Sequence, residues 1–376
     1  MICKGPIVGK NGLSLLKKQN EIQVCQDYGI YDEPENTLLL FYNARDGENE
    51  KAVITRGVST YLDETDGKYK IGNMDKIITS FNTNGNVKYS IYGACEVTYK
   101  GLIHFFGGDL DSHYQNQHFG FDANRNFVVY KNLEIDFKYP QCSTFKISKP
   151  HSQSGHKEVV LLCFDSNNFK NCYQYDDGEL THFADANENH YLARLGKYKD
   201  QLITVGAVGG ELGGGYNQKT EILNRSYNGE YSWYILGTLE GFLETLEPNY
   251  YNFSSTGYIY HYSMVNVPQT RFNEEYLLLI GGIYSDDNFS DKVHKFNGKW
   301  SFFGNLQKTR AYHGSVFLSG RVLIIGGKEN QDNWSMKTEI WETSKSQFET
   351  ESTWPELNNW WSFSNLVFII PDYINP

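Results

Sequence analysis

The amino-acid sequence predicts an all-β chain in which small four-stranded sheets repeat and close into a ring. Three observations carry that prediction. The 376 residues include 28 Tyr, 23 Phe and 35 Gly against 4 Met, and aromatic side chains suit pleated sheets while glycine suits reversals. Short apolar runs recur along the chain, several of them ending in paired glycines. Two such pairs, Gly281-Gly282 and Gly326-Gly327, stand roughly 45 residues apart, the spacing of a repeated supersecondary unit.

The elements follow in order. Gly12 to Cys25 predicts two strands around a Lys18-Gln19-Asn20 turn. Thr37-Leu-Leu-Leu-Phe-Tyr-Asn43, Val159-Val-Leu-Leu-Cys-Phe-Asp165 and Leu202-Ile-Thr-Val-Gly206 each predict an apolar strand without the full glycine pair. Gly93 to Gly108 predicts a strand, a tight Lys100-Gly101 reversal and a second strand ending at Gly107-Gly108. Tyr276-Leu-Leu-Leu-Ile-Gly281-Gly282 and Val322-Leu-Ile-Ile-Gly326-Gly327 repeat that plan, each followed by a third strand that leads to Trp300 or Trp341. Because these runs are apolar at consecutive positions, both faces of each strand need cover, which neighbouring sheets supply. Asn297-Gly298, Asn228-Gly229, Asp177-Gly178 and Asp122-Ala-Asn124 mark turns before fourth strands, and Asn-Gly favours hairpins because both residues accept positive φ.

With its double glycines, strand order and period, the repeat resembles the kelch family. That resemblance implies an all-β, kelch-type seven-bladed β-propeller that occupies residues 1–376 as one domain. Six complete units begin near residues 26, 89, 140, 189, 255 and 309. The C-terminal segment 360–371 reads as half a blade, and strands from 12–25 are expected to complete it. Such closure would remove exposed sheet edges. Two longer insertions, Leu236 to Ser255 and Asn266 to Glu275, are expected to protrude as loops.

Formal net charge is -11, so the average field repels phosphate backbones and anionic lipid surfaces, and neither nucleic acid nor membrane is an expected partner. The start lacks the apolar stretch of a secretion signal, and no run approaches the roughly 18 residues of a membrane span, which points to the cytoplasm. Trimming of a leader would leave secretion open. Cys3, Cys25, Cys95, Cys142, Cys163 and Cys172 are scattered without a CxxC pair, so buried free thiols are expected rather than zinc ligands. The N-x-S triplets at Asn224, Asn252, Asn288 and Asn333 are no more than chance supplies in a chain rich in Asn and Ser.

Local catalytic signatures are missing. Gly209 to Gly215 is glycine-rich but lacks the Lys-Ser/Thr ending and opening helix of a phosphate cradle. Neither a G-x-S-x-G elbow, an H-E-x-x-H pair nor the S-x-D-x-G turn of sialidases occurs. Some kelch-type propellers are copper radical oxidases with tyrosine and histidine ligands. Here His190-Tyr191, Tyr260-His261-Tyr262 and Tyr312-His313 bring those residue types together, so such an enzyme stands as the alternative reading. The repeat itself accounts for the spacing, and no catalytic residue, metal or cofactor is assigned.

The favoured expectation is a non-catalytic binding or scaffold protein. Tyr28, Tyr92, Tyr191, Tyr260, Tyr312 and Trp361 each fall near the start of an expected first strand, which the resemblance makes the innermost. Together they would form an aromatic collar around one mouth of the central channel, offering stiff contact area with polar tips. Arg310 occupies the place where kelch adaptors hold acidic peptide groups, and a guanidinium can grip a carboxylate with two parallel hydrogen bonds. Asp109, Asp165, Tyr284, Lys328 and Glu329 are expected to line the same mouth by the same analogy. The partner class is a protein or peptide, with a glycan as the alternative.

Overall fold

A computed structural model describes the backbone of most of residues 93–342, of the strands within 14–87, and of 348–351 and 366–370; residues 1–13, 26–36, 88–92, 239–258, 352–365, 371–376 and several short loop segments lie outside the described residues. The described residues form small antiparallel sheets and no helix. Five sheets each take four strands in sequence order. The first comprises Cys95–Tyr99, Leu102–Phe106, His118–Phe121 and Phe127–Val129. The second comprises Gln141–Ser148, His156–Asp165, Asn168–Asp176 and Glu179–Asp185. The third comprises Gly196–Tyr198, Gln201–Ala207, Asn217–Arg225 and Tyr231–Thr238. Ser263–Val267, Tyr276–Ile280, Lys292–Phe296 and Trp300–Asn305 build the fourth. Gly314–Leu318, Arg321–Ile325, Thr338–Glu342 and Phe348–Glu351 build the fifth.

First strands of neighbouring sheets lie side by side, as Cys95–Tyr99 does with Gln141–Ser148 and Ser263–Val267 with Gly314–Leu318. This is a propeller-like arrangement, and its cores lie between blades. Phe145, Val159, Leu161 and Cys163 of the second blade pack with Leu202, Leu223 and Trp233 of the third. Val265, Leu278 and Ile280 of the fourth pack with Val322, Ile324 and Trp341 of the fifth. The second strands are buried on both faces, since Leu277, Leu278, Leu279 and Ile280 are all fully covered, as their unbroken apolar sequence requires. Tight reversals also follow the sequence: Lys100-Gly101 and Asp177-Gly178 place both residues at positive φ, the backbone that matches strand twist.

Blade count and closure differ from the sequence expectation. Among the described residues, five blades built from strands in sequence order are present, not seven. The C-terminal strand Leu366–Ile370 pairs with Thr37–Asp46, from Thr37↔Ile370 to Phe41↔Leu366, in a sheet ordered Leu366–Ile370, Thr37–Asp46, Asn49–Gly57, Asp75–Ile78. The expected partner of the C-terminal segment, residues 12–25, instead forms a two-stranded sheet of Ser14–Lys18 with Glu21–Cys25. The physical reason is edge pairing. The unit expected to begin near residue 26 contributes three strands to its four-stranded sheet, and the last described strand takes the edge that it leaves open.

Four cysteines are not free thiols. Cys95–Cys142 joins the first strands of the first two blades with Cα atoms 5.7 Å apart, and Cys163–Cys172 joins directly opposed residues within the second blade. Packing of adjacent inner strands makes the first pair neighbours and strand register the second, which linear spacing conceals. Of the two expected loops, Leu236 continues a strand to Thr238 and 239–255 lies outside the described residues. The base of the other is tied down, since Asn266 Nδ2 donates to Lys197 O at 2.7 Å and to Glu275 Oε1 at 2.8 Å.

Candidate functional site

Each blade begins with the same backbone device. Gly93, Tyr139, Leu192, His261 and Tyr312 all have φ between 52° and 68°, and each stands two residues before Cys95, Gln141, Arg194, Ser263 or Gly314. Four of the five are not glycine, although the left-handed region costs an ordinary residue about 1–2 kcal/mol. The turn recurs because it delivers the chain from the outside of one blade to the inner strand of the next. Backbone bonds then link successive turns, with Tyr312 N donating to His261 O at 3.0 Å and His261 N to Leu192 O at 3.4 Å.

Residues just past these turns enclose a cavity of about 130 Å³ at the meeting point of five blades. Its polar lining comes from Glu96, Gln141, Arg194, Ser263, His313 and Ser315. Arg194 Nη1 donates to Gln141 Oε1 at 3.2 Å, and Ser263 Oγ lies 2.7 Å from His313 Nε2. Glu96 Oε2, His313 Nδ1 and Ser315 Oγ are sealed from solvent without a hydrogen-bond partner. Burial pushes the Glu96 carboxyl up to about 7 although Arg194 pulls in the other direction. Burial and the nearby Arg194 charge hold His261 down at about 3, and burial with Arg310 and Arg194 holds His313 well below the usual imidazole range.

Aromatic groups gather at the blade starts, close in the chain to residues that line this cavity. Tyr191 meets Tyr139 at 6.4 Å and Phe169 at 5.5 Å between ring centroids. His261 stacks on Tyr312 at 3.9 Å and lies 4.9 Å from Tyr260. Three expected collar residues, Tyr191, Tyr260 and Tyr312, are therefore half-buried in two aromatic groups at the blade starts. Tyr28, Tyr92 and Trp361, with Asp109, lie outside the described residues. Tyr139, Arg194 and Glu96 were missed by sequence reasoning, and His261 entered it only through the oxidase alternative. The signal that could have found Arg194 and Glu96 is the position two or three residues after the strand-start turn, and Tyr139 stands at the turn itself.

Arg310 has a different role from the one its place suggested. It is fully buried, with Nη1 donating to Gly326 O at 2.7 Å and Nη2 to Glu339 Oε1 at 2.9 Å. Glu339 Oε2 also accepts from Gln307 N at 2.7 Å, and Gln307 Nε2 donates to Phe348 O. The third blade repeats the device with histidine: His190 Nδ1 lies 2.8 Å from Gly206 O and Nε2 lies 3.0 Å from Glu221 Oε1. Asn187 donates to Glu221 Oε2 and to Trp233 O. Both nitrogens of His190 thus lie within hydrogen-bond distance of oxygens, in the place that the Arg310 guanidinium takes in the fifth blade. Burial raises Glu221, but bonds from His190 and Asn187 outweigh it and leave the carboxyl below its ordinary value. These groups brace the blades from within.

The remaining expected mouth residues are also engaged locally. Asp165 is 2% exposed, accepts from Asn167 N at 2.7 Å, and is pushed up to about 6 by burial. Lys328 bridges backbone to Ala311, Glu329 N donates to Asn333 O, and Ser290 Oγ donates to Tyr284 Oη at 3.4 Å. At the far end of the first blade a second cavity, about 300 Å³, is bordered by His104, His118, Tyr130 and Tyr175. His104 Nδ1 and His118 Nε2 lie 3.0 Å apart, and burial holds the two rings at about 4 and about 3. Among the described residues, no three His, Cys, Asp or Glu side chains gather as a metal set.

No known family profile matches the chain. A solved structure, described as a novel fungal alcohol oxidase with catalytic diversity among the AA5 family, in complex with copper, is similar with a TM-score of 0.51 and 13% identity. The likeness covers 86% of this chain and 64% of that one, and it bears on the fold alone.

Proposed function

We propose that this chain is a kelch-type recognition propeller whose channel mouth receives a peptide segment of a partner. One observation carries the reading: the starts of five inner strands converge on one polar cavity, with Tyr191, Tyr260 and Tyr312 among the aromatic groups at those blade starts. Flat side chains with polar edges can hold an extended segment while the cavity takes one polar group from it. The likeness to a copper alcohol oxidase supports the enzyme alternative. Its donor types are present at the mouth, but their arrangement does not fit a copper centre. Both His190 nitrogens are occupied, His313 Nε2 is held by Ser263, and the His261 face is covered by Tyr312. We therefore derive no step through copper.

Two disulfides among the described residues support an oxidising compartment rather than the cytoplasm. The functional test is a peptide array and a glycan array probed with native protein and Tyr312→Ala. A peptide ligand retained by the native chain and weakened at least about tenfold by Tyr312→Ala, as loss of a buried aromatic anchor gives, supports the proposal. Stoichiometric copper with alcohol-dependent oxygen uptake would overturn it, and exclusive capture of glycans would replace the ligand class.

A further inference from the structure

We infer that Arg194 and Glu96 form a carboxylate-binding site inside the channel. The inference deepens the recognition proposal and rests on its choice of face. Arg194 is a half-buried guanidinium with a neutral partner, Gln141 Oε1, and no carboxylate within ion-pair distance among the described residues. A cation drawn away from water and left without a counter-ion favours an incoming anion. Beside it, Glu96 Oε2 is sealed and unpartnered. The two residues share the cavity with His313 Nδ1 and Ser315 Oγ, which are also unpartnered.

Charge decides between ligand classes. Titratable and charged groups acting at the cavity come from separate blades: Glu96 from the first, Arg194 from the third, His261 from the fourth and His313 from the fifth. The imidazoles stay neutral at ordinary pH, and Arg310, which also acts on His313, is already paired with Glu339. Arg194 is thus the standing cation. With Glu96 protonated, the cavity carries one net positive charge and a carboxylic O–H directed at no acceptor. A ligand carboxylate supplies both needs, with its oxygens receiving bonds from the guanidinium and from the Glu96 O–H. Two carboxyl groups then share one proton beside a cation, an arrangement stable only while that proton remains. The space of about 130 Å³ exceeds the roughly 30 Å³ share of one water several times, enough for a carboxylate and its attached carbon.

No covalent bond changes. When Glu96 begins ionised, one proton is taken from solvent for each carboxylate bound. The chemistry is common to a free monocarboxylic acid and to the C-terminus of a peptide. Acetate is titrated into the full chain by calorimetry at about pH 6 and about pH 8, in two buffers of different ionisation enthalpy. The same titration uses a short peptide with a free C-terminus and its amidated form. Acetate should bind about tenfold more tightly at the lower pH, because a carboxyl titrating near 7 changes from mostly protonated to mostly ionised between them. Glu96→Gln, a permanently neutral donor, should remove that dependence and raise the affinity at about pH 8 to that at about pH 6. Arg194→Gln should abolish binding at both. Acetate with no preference for the free peptide supports a free acid, and a free peptide favoured over its amide supports a chain terminus. Absence of saturable acetate binding by native protein, a pH-independent affinity, or full binding by a folded Arg194→Gln chain overturns the site. Loss of a longer peptide in Tyr312→Ala with acetate binding intact would preserve both proposals. Failure of acetate alone would remove only this one.

Discussion

Replacing Arg310 by methionine separates a brace from a ligand contact. Its guanidinium and the Glu339 carboxylate are both sealed, with side-chain exposures of 1% and 0%. Removing one member of such a buried pair costs about 3–5 kcal/mol, because the other charge stays out of water. Gly326 O also loses the donor 2.7 Å away, and an unsatisfied buried acceptor by itself accounts for about 1–3 kcal/mol. These contributions overlap, so Arg310→Met should lower unfolding stability by about 3–5 kcal/mol in urea titrations at about 25 °C. Adding Glu339→Leu should recover part of the loss by removing the stranded charge. Ligand affinity of the folded fraction should be unchanged. A loss below about 1 kcal/mol accompanied by weakened peptide binding would refute the brace and restore the sequence-based role.

Acidification should destabilise the chain from about pH 6.5 to about pH 4, measured by urea midpoints across that range. Buried His104, His118, His261 and His294 are held at about 4 or lower and His313 well below the usual imidazole range, so the unfolded chain binds more protons there and each contributes up to about 1.4 kcal/mol per pH unit. Glu96 and Asp165, raised to about 7 and about 6, act in the opposite sense but are outnumbered; a flat profile would contradict the burial of the imidazoles. Replacing Cys95 and Cys142 together by serine should lower stability by about 4 kcal/mol from loop entropy over a separation of 47 residues, read by denaturant titration. An unchanged midpoint would mean that the inner strands are held without the covalent link. Deleting 366–376 should reduce the melting temperature more than deleting 1–25, because Leu366–Ile370 fills one edge of the sheet containing Thr37–Asp46. The reverse order would contradict that pairing.

The sequence alone determined the strand class and the phase of the repeats. Consecutive apolar residues at Leu277–Ile280 and Val322–Ile325 demand cover on both faces, and Lys100-Gly101 demands a reversal. Both requirements are local, so they can be read without knowing the neighbours. It also placed Tyr191, Tyr260 and Tyr312 near the starts of repeats. Tertiary structure decided which ends pair, which cysteines join, and which polar groups face the channel. Arg310 and Arg194 both sit near strand starts, yet one meets Glu339 inside its blade and the other faces a shared cavity without a carboxylate partner. That difference arises from a carboxylate 29 residues away for Arg310 and from the meeting of five blades for Arg194, and desolvation acts on such three-dimensional neighbours rather than on spacing along the chain.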